Sequence, residues 1–351
     1  MSSVSEIRNV HNPTLIAVSV VIPVKNEEKS IGQLLDALLT QTEPPTEIVV
    51  VDGGSIDRTV ELIRKYIDRG CPVRLCQTKQ ALPGRGRNVG VNAASCDWIA
   101  FIDAGVLPCS DWLAQLRSSI KGNTDIVYGS WEPVIEGVFD ECAAIAYVQP
   151  PSQIDGRPMR HHFIASSLFK RDVLIALGGF PEHLRSAEDI LLMNAADDRG
   201  YVVEYAPDAI VRWKLQQNLD GTFCRFRTYA RHNIRAGLWS QWQGPIFRRY
   251  GFIALLALPA VLFGWLWLTA VGLVWLGQLA ARSFVSLWRN RSAYSAPVAE
   301  QVVRIPFLMT IIGCLDAATI VGSFDWLVID KLKLTTGVED VNPVLSEMSG
   351  D

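Results

Sequence analysis

Residues 251–280 carry no charged side chain, and this uncharged segment constrains the fold more than any other feature of the sequence. One membrane-spanning helix needs about 20 apolar residues, so the segment is long for one helix and short for two full ones. Pro259 and Gly264 interrupt it near the middle, and arginines precede and follow it. Because positive charge marks cytoplasmic ends, this pattern favours a tight helical hairpin over a single tilted span.

The composition agrees with a soluble domain joined to a membrane segment. Hydrophobic residues make up 49% of the 351 residues and the mean hydropathy is +0.18, although 20% of the residues are charged. The net charge of −3 gives no indication of nucleic-acid binding. Seven cysteines without a CxxC pair favour reduced thiols over a zinc site or a disulfide framework. Because the amino terminus lacks a signal-peptide core, we expect the first domain to stay in the cytoplasm.

Short β-branched segments alternate with amphipathic segments before residue 216. We predict strands at 17–23, 47–52, 73–76, 98–103, 125–131 and 202–205. We predict helices at 30–39, 59–67 and 110–120, a glycine-rich turn that opens a short helix at 84–94, and a polar loop at 150–162. This alternation predicts an α/β fold with a doubly wound, mostly parallel sheet.

Three predicted strands place polar side chains at their carboxyl ends. Asp103 follows the apolar residues 98–102, Asp52 ends 47–52, and the polar loop 25–28 follows the first strand. Ligands of open α/β sheets bind beyond the carboxyl ends of the strands, so these side chains are expected to meet at one edge. Asp103 alone would equally well cap the next helix or turn. No GxGxxG follows the first strand and the pattern GxxxxGK[ST] is missing, which disfavours NAD or ATP as the ligand.

Four motifs follow one another in this part of the chain. They are VVIPVKNEE at 20–28, VVVDGGSIDRT at 49–59, GRGRNVG at 84–90 and WIAFIDAGVLP at 98–108. In order and spacing they resemble the nucleotide-sugar-binding half of family 2 glycosyltransferases, and the resemblance covers roughly the first two thirds of the chain. It implies a Rossmann-like GT-A fold.

The same resemblance implies where a sugar nucleotide binds. The implied binding residues are Pro23, Asn26, Glu27, Asp52, Arg87, Asn88 and Asp103. Asp52 would accept a hydrogen bond from the base, and Arg87 with Asn88 would close over the base and the ribose. For Arg87 and Asn88 the alternative is a solvated helix start.

A further element of the resemblance lies at 178–189. Gly178, Gly179 and Phe180 form a tight turn, and Glu188 and Asp189 follow at the start of a predicted helix. By resemblance Asp189 is the general base that removes the proton of the acceptor hydroxyl, and Glu188 orients it. A single base on the acceptor side suits an inverting transfer. The alternative is that both carboxylates only favour the positive amino terminus of the helix.

A basic stretch follows the last predicted strand. It contains Arg225, Arg227, Arg231, His232 and Arg235 interleaved with aromatic residues, which predicts an amphipathic helix at a membrane surface. By resemblance to the family's basic motif, Arg231 and Arg235 are the candidates for binding the leaving-group phosphates. Most of the other charges are expected to face solvent.

Asp103 is also the candidate metal ligand. Family members usually carry Asp-x-Asp here, whose second carboxylate binds the divalent metal on the pyrophosphate, whereas this chain has Gly105. A hard cation needs several oxygen ligands, so phosphate and water would have to complete the shell of Mg²⁺ or Mn²⁺. The alternative is that Asp103 holds a ribose or sugar hydroxyl.

The sequence therefore predicts an inverting glycosyltransferase at the inner (cytoplasmic) membrane, with its catalytic domain in the cytoplasm. Its expected partners are a UDP or GDP sugar donor, a lipid-linked or polysaccharide acceptor and the membrane, and no nucleic acid. A processive polysaccharide synthase is one alternative, although no QxxRW motif is intact and the spans for a polymer channel are too few. A catalytically weakened nucleotide-sugar binder that acts as an assembly partner is the other.

These features predict the organisation of the chain. It comprises a flexible amino terminus (1–15), a nucleotide-sugar-binding half (16–135), an acceptor and catalytic half (136–215), a basic interfacial helix region (216–250), a transmembrane hairpin (251–283), a loop with an interfacial or third membrane helix (284–334) and a flexible tail (335–351).

Overall fold

The computed structural model describes residues 15–154, 156–160, 163–294 and 298–333. The termini predicted to be flexible lie outside these residues, apart from residue 15. In the described ranges the strands form one eight-stranded sheet and one two-stranded hairpin, and the longest helices follow the sheet in the sequence.

The strands and helices have the following bounds. The strands are β1 (Val18–Val24), β2 (Glu47–Asp52), β3 (Val73–Gln77), β4 (Trp98–Phe101), β5 (Val106–Pro108), β6 (Ile126–Val134), β7 (Ser152–Ile154), β8 (Arg157–Met159), β9 (Ser167–Lys170) and β10 (Val203–Lys214). The helices are α1 (Ile31–Leu39), α2 (Thr59–Asp68), α3 (Pro83–Ala93), α4 (Trp112–Ser118), α5 (Val138–Tyr147), α6 (Arg171–Leu177), α7 (Glu188–Asp198), α8 (Leu219–Arg235), α9 (Trp239–Trp242), α10 (Gly244–Ala257), α11 (Ala260–Phe263), α12 (Trp265–Arg289) and α13 (Val298–Asp325), which continues into a π-helical turn (Trp326–Lys331).

The eight-stranded sheet has the order β3-β2-β1-β4-β9-β6-β10-β5. Strands β1 to β4 are parallel to one another, whereas β9 runs antiparallel to both of its neighbours and β5 runs antiparallel to β10. The α/β prediction is confirmed, and the sheet is mixed with a parallel half built by the first four strands. Val24 lies beside Asp52 in the register of β1 and β2, so their carboxyl ends are level.

Both faces of the parallel half are buried. Val20 and Ile22 of β1 pack into the core on one face, and Val21 packs into the core on the other, each without exposed surface. The strands therefore read as continuous apolar runs, as expected when helices cover both faces of a parallel sheet. The polar residues that follow these strands are left at the edge of the sheet.

The short helix predicted within 84–94 is confirmed, but the glycine-rich turn predicted to open it is wrong, because this stretch is helical from its first residues. Pro83 occupies the first turn of α3, where its missing N–H costs no hydrogen bond. The glycines let α3 lie directly on β1: a Cβ at Gly90 would come within 2.3 Å of Val21 Cγ1. This close packing fixes Arg87 on the side of α3 that faces the strand ends.

Two other predictions between 150 and 214 need correction. The predicted loop at 150–162 contains the β7-β8 hairpin, and residues 161–162 lie outside the described part. The strand predicted at 202–205 extends to Lys214 because β6 pairs with it along most of its length, across an irregularity between Ala206 and Ile210. Trp213 is consequently a strand residue.

Three helices near the carboxyl end are long and apolar enough to cross a membrane. They are Gly244–Leu262, Trp265–Arg289 and Gln301–Lys331. The first two turn back on each other at Gly264, and the indole of Trp267 donates a hydrogen bond of 2.6 Å to the Leu256 carbonyl across this hairpin. The hairpin and the third helix occupy the positions at which the sequence predicts membrane segments.

Candidate active site

A cavity of about 700 Å³ opens beyond the carboxyl ends of the parallel strands. Six of the predicted site residues line it: Pro23, Glu27, Arg87, Asp103, Glu188 and Asp189. Its wall also includes residues of β10, α8 and the apolar helices, among them Trp213, Arg225, Tyr229, Arg282 and Asp316. The cavity thus begins at the sheet edge and continues between the helices that follow it.

Arg87 joins the sheet edge to the start of α7. Its guanidinium donates from Nη2 to Asp103 Oδ1 at 2.7 Å and from Nη1 to Glu188 Oε1 at 2.6 Å. The Arg87 side chain is 3% exposed and that of Glu188 5%, so this pair is shielded from water. Charge-assisted hydrogen bonds of this kind are short and geometrically specific. The two carboxylates are the partners of the Arg87 guanidinium among the described residues, and its contact with base and ribose stays a prediction.

Glu188 contacts Arg87 and not the side chain that it was predicted to orient. Its second oxygen, Oε2, is buried and has no hydrogen-bond partner among the described residues. Burial raises the pKa of Glu188, and the positive charge of Arg87 opposes that shift. Glu188 can therefore act on Asp189 through the position of the α7 amino terminus and through the repulsion between the two neighbouring carboxylates, which also raises the pKa of Glu188.

Asp189 projects into the cavity from the first turn of α7. Its Oδ1 accepts the N–H of Ile190 at 2.9 Å. The preceding Ala187 has φ +70°, a left-handed conformation that costs a residue with a Cβ about 1–2 kcal/mol. Burial raises the pKa of Asp189, and the nearby charge of Arg87 lowers it by a smaller amount. A carboxylate with a raised pKa in a cavity has the properties of a general base.

Asn26 and Asp52 hold the turns that form the floor of the cavity. The Asn26 side chain accepts the N–H of Ile56 at 2.9 Å, and Asn26 itself has φ +56°. Asp52 is 2% exposed, and its Oδ1 accepts the N–H of Ser55 at 3.0 Å. Neither residue belongs to the described lining of the cavity. Both keep Pro23 and the turn after β2 in place.

Asn88 fixes the turn that precedes α7. Its side chain donates to the Phe180 carbonyl at 2.9 Å and accepts the Phe180 N–H at 2.8 Å. Gly179 in this turn has φ +73°, and an added Cβ would lie 2.6 Å from Asn88 Oδ1. Only glycine fits there without strain. The adjacent residues Arg87 and Asn88 thus both connect α3 to the segment that carries Asp189.

The cation on α8 that lines the cavity is Arg225. The helical spacing of the residues in this part of the sequence could have identified it. Arg225 lies four residues before Tyr229 on the cavity side, and its guanidinium stacks 5.1 Å from the Trp213 ring centre. Arg231 instead pairs with Asp330 at 2.8 Å. Neither Arg231 nor Arg235 belongs to the described lining of the cavity. Their predicted contact with phosphates remains untested.

The residues around Asp103 do not fit a resident divalent cation. Gly105 supplies no carboxylate and has φ +83°, and Asp103 is neutralised by Arg87. Glu27 is the nearby carboxylate, since its Oε2 lies 3.9 Å from the Cβ position of Gly105, but it accepts a hydrogen bond from Ser30. Burial raises the pKa of Glu27, which disfavours the charged form. The described residues contain no group of three or more His, Cys, Asp or Glu that would hold a metal ion.

Comparisons with known proteins show which family this chain is similar to. Residues 19–178 match the family described as glycosyl transferase family 2. The chain is similar to glycosyltransferase AglE of Haloferax volcanii, with 32% identity over 204 residues, which cover 56% of this chain and 66% of that protein. It is also similar to poly(ribitol-phosphate) beta-N-acetylglucosaminyltransferase TarS of Staphylococcus aureus, with 29% identity over 196 residues, which cover 50% of this chain and 32% of that protein. The chain spans only part of the length of either relative.

A solved structure shares the fold. The mannosyltransferase PcManGT from Pyrobaculum calidifontis, in complex with GDP-Man and Mn²⁺, is 20% identical, with a TM-score of 0.52 and coverage of 90% of this chain and 87% of that chain. The expected Rossmann-like fold of GT-A type is thereby confirmed, and three apolar helices follow it.

Proposed function

Because the chain belongs to glycosyl transferase family 2 through residues 19–178, we propose that it is an inverting glycosyltransferase that uses a UDP or GDP sugar. The observation that carries this proposal is the single cavity shared by Asp103 at the sheet edge and Asp189 on α7. One carboxylate lies where the sugar nucleotide binds in such sheets, and the other lies where an acceptor hydroxyl would approach it. AglE and TarS, both named as sugar transferases, support the same reaction class.

The proposed reaction is a single displacement. The carboxylate of Asp189 takes the proton of the acceptor hydroxyl while the hydroxyl oxygen attacks the anomeric carbon of the donor sugar. The bond between that carbon and the phosphate oxygen breaks, and the nucleoside diphosphate leaves with the electron pair. Attack from the face opposite the leaving group inverts the configuration of the sugar.

The remaining residues bind and position the donor. Pro23 and Glu27 line the nucleotide pocket, while Asn26, Asp52 and Asn88 hold the turns around it. Asp103 has a side chain that is 34% exposed, so it can accept a hydrogen bond from a ribose or sugar hydroxyl while Arg87 neutralises it. Arg225 is the cation that we assign to the leaving phosphates, in preference to Arg231 and Arg235, because it lies in the cavity wall.

Removal of divalent metal is expected to change the reaction little. Arginine can neutralise phosphate charge through paired hydrogen bonds, and the residues beside Asp103 do not form a cation site. We expect EDTA to cost less than about 1.4 kcal/mol of transition-state stabilisation, which is a factor of ten in kcat/KM. Release of nucleoside diphosphate is the readout, with and without added Mn²⁺. A larger loss that Mn²⁺ restores would contradict the assignment to Arg225.

The raised pKa of Asp189 predicts the acid side of the pH profile. The base acts when it is deprotonated, so activity falls as the pH drops through the pKa of Asp189. Burial raises this pKa, and the midpoint of the fall is therefore expected above the ordinary aspartate value of about 3.9. A profile of kcat/KM against pH measures it. A midpoint at or below the ordinary value would show that Asp189 is not the titrating base.

We also propose that the three apolar helices anchor the catalytic domain at the cytoplasmic face of a membrane. The arginines at both ends of the hairpin 244–289 support this orientation. The acceptor is then a lipid-linked or polysaccharide chain that reaches the cavity from the membrane.

A screen of UDP and GDP sugars for release of nucleoside diphosphate, with an ADP sugar as the control, tests the donor class. Release from none of the UDP and GDP sugars, with or without membrane lipid, would contradict the proposal.

A further inference from the structure

We propose that the membrane end of the cavity binds a phosphate group carried by a lipid-linked acceptor, and that Arg249 and Arg282 are the residues that bind it. This inference rests on the proposed function, because it names the acceptor class for the same site. The observations that carry it are a cluster of charges between the apolar helices, unsatisfied polar groups around that cluster, and its place in the cavity wall.

The cluster joins the three helices that are apolar enough to cross a membrane. Asp316 of α13 is 1% exposed and pairs with Arg282 of α12, whose Nη2 lies 3.0 Å from Asp316 Oδ1. Tyr250 of α10 donates to Asp316 Oδ2 at 2.9 Å. Arg249 of α10 places Nη1 3.7 Å from the same oxygen. Two guanidinium groups therefore surround a single carboxylate, which leaves an excess of positive charge.

Hydrogen-bonding capacity is left over at this point. Nη1 of Arg249 is buried and makes no hydrogen bond to any described residue. The side-chain nitrogen and oxygen of Gln278 are also buried and make no hydrogen bond to any described residue. Gln278 lies one helical turn before Arg282. Buried polar groups in folded proteins normally find a partner, and charges within an apolar helix are costly. An anionic ligand with several oxygens would satisfy these donors.

Two members of the cluster line the cavity that holds the proposed base. Arg282 and Asp316 line this cavity together with Asp189 and Arg225. A phosphate bound at the cluster and a hydroxyl bound at Asp189 can consequently be parts of one acceptor molecule. Arginine recognises phosphate through paired, charge-assisted hydrogen bonds, so two arginines suit a monoester or diester of phosphate or a diphosphate.

The position of the cluster favours a lipid as the carrier of that phosphate. Arg249, Arg282 and Asp316 all lie within the helices that could span a membrane. Large apolar side chains on the outside of these helices are exposed, with Leu255 at 64% and Leu273 at 70%. An acyl or prenyl chain along that surface would leave its phosphate at the level of the arginines. A soluble phosphate would lack this apolar contact.

The test measures lipid binding by the full chain in phosphatidylcholine nanodiscs. The probes are a long-chain polyprenyl diphosphate, the uncharged polyprenol of the same length, and inorganic pyrophosphate. We expect the protein to bind the diphosphate lipid at least about tenfold more tightly than the polyprenol, because one charge-assisted hydrogen bond contributes about that factor to the affinity. Arg249→Gln is expected to remove this preference. Arg248→Gln is the matched control, because Arg248 is exposed on the same helix, whereas the guanidinium of Arg249 lies beside Asp316.

Arg282→Gln alone would leave the buried carboxylate of Asp316 beside one cation fewer. The paired variant Arg282→Gln with Asp316→Asn is therefore used as well. Thermal unfolding checks that each variant folds. Retention of the preference in both Arg249→Gln and the paired variant would overturn the inference and leave the cluster as an ion pair between helices. Pyrophosphate could also displace the lipid as well as the diphosphate lipid itself does, and Arg225→Gln could abolish this displacement. That pair of results would assign the phosphate site to the sugar donor and would also overturn the inference. Hydrolysis of the sugar nucleotide by the unmodified protein is measured separately without acceptor lipid, and its failure would count against the proposed function alone.

Discussion

Replacement of Asp189 by asparagine is expected to lower the rate of sugar transfer by about 10²–10⁴-fold, the usual contribution of a general base. Asparagine keeps the size of the side chain and its hydrogen bond to the Ile190 N–H, but it cannot accept the proton of the acceptor hydroxyl. The loss should therefore fall on kcat, while binding of the sugar nucleotide changes little. Steady-state rates of nucleoside diphosphate release and donor affinity by calorimetry separate the two.

Asp198→Asn is the matched control for this substitution. Asp198 is the last residue of α7 and is exposed, so the same chemical change occurs on the same helix away from the cavity. We expect its activity to remain close to that of the unmodified protein. Equal activities of Asp189→Asn and Asp198→Asn would remove Asp189 from the mechanism and would point to Glu188 or to an acceptor that needs no base.

Replacement of Arg87 by glutamine is expected to destabilise the fold by about 3–5 kcal/mol, the range observed when one partner of a buried ion pair is removed. The change leaves Glu188 buried without its cation and frees Asp103 from its neutralising partner. Because Arg87 also links α3 to α7, we expect the position of Asp189 to become less well defined. Urea unfolding monitored by tryptophan fluorescence gives the free energy of unfolding.

The neighbouring arginine provides the control for Arg87. Arg85 lies two residues earlier on α3 and is exposed, so Arg85→Gln is expected to change the free energy of unfolding by less than about 0.5 kcal/mol. A similarly small effect of Arg87→Gln would mean that water or another side chain compensates the two carboxylates. The bridge between the sheet edge and α7 would then not stabilise the protein.

Features that depend on local pattern could be predicted from the sequence. The strand ending in Asp52 has its predicted bounds, since β-branched residues and the glycines after it define both ends. The glycine-rich start of 84–94 could not be identified as helical from propensity alone, because its glycines allow close packing of α3, on Pro23 at Gly86 and on Val21 at Gly90. Tertiary contact there overrides the local preference for a turn.

The contacts that complete the site depend on packing between distant segments. Arg87 and Glu188 are 101 positions apart in the sequence, and nothing local to either residue indicates that they meet. The choice among the arginines of α8 depends on how that helix packs against α13 and the π-helical turn after it. Arg227 pairs with Asp325 at the end of α13, and Arg231 pairs with Asp330 in that turn. The residues that face away from those pairs, one of them Arg225, are the ones that reach the cavity.

The configuration of the sugar released by slow hydrolysis tests inverting transfer with Asp189 as the general base most directly. With water in place of the acceptor, the full chain and an α-linked UDP or GDP sugar are observed by proton NMR before the free sugar mutarotates. Our account predicts that the β anomer forms first and that Asp189→Asn suppresses its formation, whereas Asp198→Asn does not. First formation of the α anomer, or an equal rate in Asp189→Asn, would contradict it.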